Sequence, residues 1–120
     1  MANDKSTRLS PMVVSVPEDG REYTLEFNRK TVKKTEQNGL DINELTTKPM
    51  TMTPILFWGA FLMHHPHMTQ EQTDKILFEQ LNGLTAEEME HLGKLYAEPF
   101  QTLVASEEEG ANPRRAAVKF

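Results

Sequence analysis

The chain has 120 residues, no cysteine and a formal net charge of -5. A chain of this length forms one domain whose core needs no staple, and the missing thiols remove disulfides, cysteine nucleophiles and cysteine metal ligands together. The acid excess argues against broad nucleic-acid binding, and the opening MANDKSTRLSPM is too polar for a secretory signal, so a soluble intracellular protein is expected.

Residues 1–10 are polar and unpatterned and are expected to be flexible. Met12 to Val16 and Tyr23 to Phe27 then flank Pro17, Glu18, Asp19 and Gly20, a turn sequence that supplies a proline start and a glycine for positive φ. This predicts a β-hairpin. Tyr23, Leu25 and Phe27 alternate with Thr24 and Glu26, so one face should sit on helices and the other in water. A lone ribbon is marginal in water. Its edges must be covered by the helical part or pair with another chain, and self-association through the hairpin edge is one expectation.

Asn28 is placed to cap a helix over residues 29–38, with Phe27 and Val32 as its hydrophobic staple and Gly39 as its stop. Asp41 and Glu44 have capping-box spacing around a short helix, with Leu40 and Leu45 as a second staple. Thr53 and Pro54 predict the start of the central helix as N-cap and first helical residue. Ile55, Leu56, Phe57, Trp58, Ala60, Phe61, Leu62 and Met63 then cover every side of that helix, as in an element surrounded by protein. A membrane span would take roughly 20 apolar residues, and His64, His65 and Pro66 stop the run first.

Thr69 with Gln72 and Thr85 with Glu88 are two more capping boxes. The helices they open carry apolar stripes, Thr73, Ile76, Leu77, Gln80 and Leu81 in one and Met89, Leu92, Tyr96, Phe100 and Leu103 in the other, with Pro99 set to kink or restart the second. From Ser106 an acidic cluster passes through Gly110 and Pro113 to a basic end, expected to be a flexible charged tail over 106–120. The predicted fold is α+β: a single domain over 11–105, with an N-terminal β-hairpin followed by a small bundle of about four helices.

The ordered phrases YTLEFNR (Tyr23 to Arg29) with Val32, KPMT (Lys48 to Thr51), LFWGAF (Leu56 to Phe61) and YAEP (Tyr96 to Pro99) together resemble the small tail assembly chaperones of long-tailed bacteriophages and prophages. The likeness spans about Met12 to Leu103, and its order and spacing carry it, since each phrase is short. It implies a protein that is not an enzyme and uses no cofactor. Its expected partner is the tape measure protein, a long, largely helical chain kept soluble until tail tube subunits polymerise around it. It further implies action in the host bacterial cytoplasm and absence from the mature virion. Many such genes also make a longer frameshifted form that recruits the major tail tube protein, and the charged terminus from Ser106 lies where such a branch would occur. One departure stands out: the family pattern is more apolar in the first helix, where this chain has Lys33, Lys34 and Thr35.

A helical client needs an apolar, adaptable groove with a charged rim. The candidate partner-binding residues are therefore Met50, Met52, Phe57, Trp58 and Phe61 for the groove and Arg29, Lys30, Lys33 and Lys34 for a basic rim on the first helix. Each has a structural alternative: methionine and tryptophan also fill cores, and a basic stripe is usually a solvated face.

His64 and His67 have ligand spacing, but Pro66 breaks the helix between them and no acid adjoins them in sequence, so a helix C-terminus is expected there instead of a metal site. No nucleophile elbow, phosphate loop or spaced carboxylate cluster occurs. The competing readings are a structural tail or connector component and a small phage regulatory protein that contacts nucleic acid through its basic helix.

Overall fold

The computed structural model describes residues 9–102 and 114–120. A two-stranded antiparallel hairpin leads into helices that pack around one central helix, an α+β architecture. Residues 1–8 of the expected flexible N-terminus, most of the charged tail and the Leu103 end of the last stripe fall outside the described residues, while the Leu9 N–H donates to Glu98 (2.9 Å). Residues 114–120 are exposed and contain no helix or strand.

Strands β1 (Met12–Val16) and β2 (Arg21–Leu25) pair in register Val14 with Tyr23 and Met12 with Leu25. Gly20 takes the positive φ (70°) that the turn requires, and Asp19 holds the turn by accepting from the Arg21 N–H (2.9 Å) and the Tyr23 hydroxyl (3.2 Å). β2 begins two residues earlier than the apolar alternation suggested and ends before Phe27, which is nevertheless buried. Alternation marks a buried face, but pairing opposite β1 sets the strand's limits.

Helix α1 (Arg29–Gln37) is capped by Asn28, whose side chain accepts from the Thr31 N–H (2.8 Å) while the Thr31 hydroxyl accepts from the Asn28 N–H (2.9 Å). The second expected box forms differently. Asp41 accepts from the Asn43 N–H (3.0 Å) and opens only a 3₁₀ turn, Ile42–Glu44.

Helix α2 (Pro49–Phe61) starts one turn before the Thr53 and Pro54 signal. Pro49 takes the N1 position, and Pro54 lies inside the helix, where it has no N–H to give the Met50 carbonyl. The actual N-cap, Lys48, makes no side-chain cap bond, so the helix starts without the local signature that Thr53 and Pro54 carry. From Leu56 to Leu62 every residue is buried, since α1, α3, α4 and β2 all pack on this segment. Gly59 permits the closest of these approaches: a Cβ there would run into the hydroxyl and methyl groups of Thr35. Thr35 is itself fully buried and satisfies its hydroxyl on the Thr31 carbonyl (2.6 Å).

The C-terminal end of α2 covers the outer edge of β2. The Glu26 N–H donates to the Ala60 carbonyl (3.0 Å) and the Thr24 N–H to His65 Nε2 (3.1 Å), so the hairpin edge is closed here by a helix. The outer edge of β1 meets no further strand among the described residues.

α3 (Gln70–Lys75) and α4 (Ala86–Ala97) both open on the capping boxes expected, with all four bonds between 2.8 and 3.1 Å. α3 passes into a π-helical turn, Ile76–Gln80, closed by the Leu81 N–H on the Ile76 carbonyl (2.9 Å). Asn82 and Gly83 follow with positive φ (55° and 94°), and the Gly83 N–H returns to the Leu77 carbonyl (2.8 Å). At Pro99 the last helix restarts as a 3₁₀ turn, Glu98–Thr102.

Candidate partner-binding site

The proposed groove residues separate sharply. Met50 is 78% exposed, whereas Met52 and Trp58 are each 6% exposed and Phe57 and Phe61 have no accessible surface. Met52, Phe57, Trp58 and Phe61 are therefore core residues, a correction to the groove expected from sequence. The reasons are specific. Phe57 and Phe61 pack edge-to-face (5.0 Å, 75°), Phe61 also meets Tyr23 (5.5 Å), and the Trp58 indole N–H donates to the Met68 carbonyl (2.9 Å), fixing the loop before α3. The Met52 sulfur accepts from the Asp41 N–H (3.4 Å).

Met50 instead belongs to a cleft with Pro49, Thr53, Pro54, Leu77, Phe78, Gly83 and Leu84. The first turn of α2 forms one wall, and the π turn with its left-handed exit forms the other. Among the described residues, no charged residue lines it. Phe78 is 45% exposed because the π turn buries Ile76 and Leu77 and turns the next side chain outward. The cleft holds about 150 Å³, well below the roughly 300–1,000 Å³ of small-molecule pockets. It suits side chains of a protein partner, not a cofactor. Phe78, Leu84 and Pro49 were not among the sequence candidates. The available signal was that Phe78 lies off the stripe of Ile76, Leu77 and Leu81, where an aromatic has no core to enter.

The basic face also divides. Arg29 and Lys33 line a second depression with Val32, Glu36, Pro99 and Phe100, while Lys30 and Lys34 are exposed outside it. The cause is helical geometry, since 29, 32, 33 and 36 share a face and 30 and 34 lie about 100° around the cylinder.

The histidines do not converge on a metal-binding arrangement. His64 Nε2 meets Glu26 Oε1 at 2.6 Å, an acid that the hairpin supplies although none is near in sequence. His65 is an acceptor for the strand edge, and its pKa is held below 6.5 chiefly by burial and secondarily by His64. Among the described residues no group of three or more histidines and acids could hold a metal ion, and no helix is long and apolar enough to cross a membrane.

Across residues 1–120 the chain matches the family model described as Domain of unknown function (DUF5055). The chain belongs to the DUF5055 family. No curated protein and no solved structure matches it. For this DUF5055 chain the uncharged cleft at Met50 and Phe78 is thus the leading candidate site on geometric grounds, with the depression at Arg29 and Lys33 beside the last turn as a second.

Proposed function

We propose that this chain is a tail assembly chaperone of a long-tailed bacteriophage or prophage, a binding protein and not an enzyme, which holds the tape measure protein soluble in the host cytoplasm and is left out of the finished virion. The observation that carries the reading on the structural side is the exposed, uncharged cleft of Met50, Phe78, Leu84 and the two prolines. A partner helix can lay apolar side chains into such a cleft. Methionine at its mouth adapts to side chains of different shape, which suits a long helical client bound in more than one register. The ordered phrases from Tyr23 to Pro99 support the same reading. Recruitment of tail tube subunits belongs to it as a second step.

The test is co-expression with the tape measure protein of the same gene cluster. The client is expected to move from pellet to soluble complex with the wild-type chain and to stay in the pellet with Met50→Glu or Phe78→Glu. An insoluble client beside an abundant, folded wild-type chain would overturn the proposal. Finding the chain in purified particles would favour a structural tail component instead.

A further inference from the structure

The depression between α1 and the turn at Pro99 has features that the fold itself does not require. Its floor is apolar, made by Val32, Pro99 and the ring of Phe100, which is 38% exposed. Phe100 is held in place by Tyr96 (ring centroids 5.3 Å), and Tyr96 is held in turn by Phe27 (5.2 Å) and by its hydroxyl bond to Glu36 (3.2 Å). The wall is thus set before any partner arrives. Its volume, about 280 Å³, lies just under the small-molecule range of roughly 300–1,000 Å³ and has room for one large side chain.

The rim carries charge of one sign at one end. Arg29 and Lys33 stand one helical turn apart beside the apolar floor, Glu36 closes the other end, and Lys30 and Lys34 lie just outside. Lys30, Lys33 and Lys34 form no ion pair among the described residues. Two of these cations, Arg29 and Lys30, occupy the first turn of α1, which contains no acid, although the helix dipole favours acids there. A chain of net charge -5 has therefore gathered four cations on one short helix against local preference, and local rules are most often broken at functional positions.

We infer that this depression is a docking site for an acidic helical peptide segment of a partner protein, one that inserts a single aromatic or large aliphatic side chain between Val32 and Phe100 and sets a carboxylate against Lys33. The apolar floor selects a peptide over a nucleic-acid backbone, whose phosphates gain nothing from it. Glu36 fixes the direction, since an acid at that end of the segment would be repelled. The site is separate from the Met50 cleft and does not depend on the chaperone reading.

The experiment is titration of the isotope-labelled full chain with a short synthetic helical peptide carrying one Phe with glutamates on one side of it only, one turn away, followed by amide chemical shifts. Shifts are expected at Val32, Lys33 and Phe100, with affinity falling at least about fivefold for Lys33→Glu and for Phe100→Ser. The same loss is expected with the unaltered chain when the peptide's Phe is replaced by Ser, which tests the socket without touching the fold. Absence of shifts, or shifts indifferent to both the Phe anchor and Lys33→Glu, would overturn the inference. So would equal or tighter binding of a short DNA duplex that is unaffected by Phe100→Ser.

Discussion

The two ends of helix α2 do opposite work. From Leu56 to Leu62 the helix is enclosed by α1, α3, α4 and the β2 edge, whereas its first turn leaves Met50 in solvent beside Phe78. The first turn alternates methionine with threonine, while Leu56 to Leu62 is apolar apart from Gly59, and what packs against each end completes the difference. A helix that is apolar all round has no intrinsic outward face. Its neighbours decide which residues become core and which become surface.

The comparison breaks most easily at the enclosed end. Trp58→Ala should cost about 3–5 kcal/mol, because it removes a large buried side chain and orphans the Met68 carbonyl. Chemical denaturation would measure it, and a loss below about 1 kcal/mol would mean that Trp58 is not the anchor described. Gly59→Val is next. Overpacking against Thr35 should cost about 1–3 kcal/mol, and pairing it with Thr35→Ala or Thr35→Gly should recover part of the loss if the close approach of α1 to α2 is its cause.

At the open end the expectation reverses. Met50→Glu should change stability by no more than about 0.5 kcal/mol, because the side chain is largely in water. The same variant should weaken client capture at least about fivefold, the loss seen when an interface anchor is removed. Equal capture by wild type and Met50→Glu, measured by co-elution at matched concentrations, would remove the cleft from the binding surface.

Much of the fold could be read from local chemistry. Asn28, Thr69 and Thr85 announce their helices because a cap needs only side chains within one turn, and Pro17 to Gly20 announces the hairpin for the same reason. The start of α2 was misplaced because Thr53 and Pro54 carry a cap signal whereas the true start, after Lys48, has no side-chain cap to announce it. The site was harder still. Whether Met52 or Met50 faces solvent depends on where Asp41 lies, and the meeting of Phe78 with Met50 depends on a π turn and its left-handed exit that no propensity marks. Glu26 beside His64 likewise arises from tertiary folding across 38 residues.

The smallest expected effect, and the one that best sharpens the comparison, concerns the C-terminal end of α2. His65 accepts the Thr24 N–H only while Nε2 is unprotonated, and burial together with His64 keeps its folded pKa below 6.5. Above pH 6.5 it is largely neutral in both folded and unfolded chains, so the contact contributes fully. As pH falls below 6.5 the unfolded chain takes up the proton first, stability declines, and the decline levels off beneath the folded pKa. Denaturation midpoints from about pH 7.5 to about pH 5 should show this slope. His65→Gln, whose amide oxygen can still accept from Thr24, should flatten it. An unchanged slope in that variant would mean that His65 does not hold the strand edge. Because this contact lies at the enclosed end of the helix, capture through Met50 at the other end should vary little between pH 7.5 and pH 6.5 in either protein, as expected if the two ends of α2 act independently.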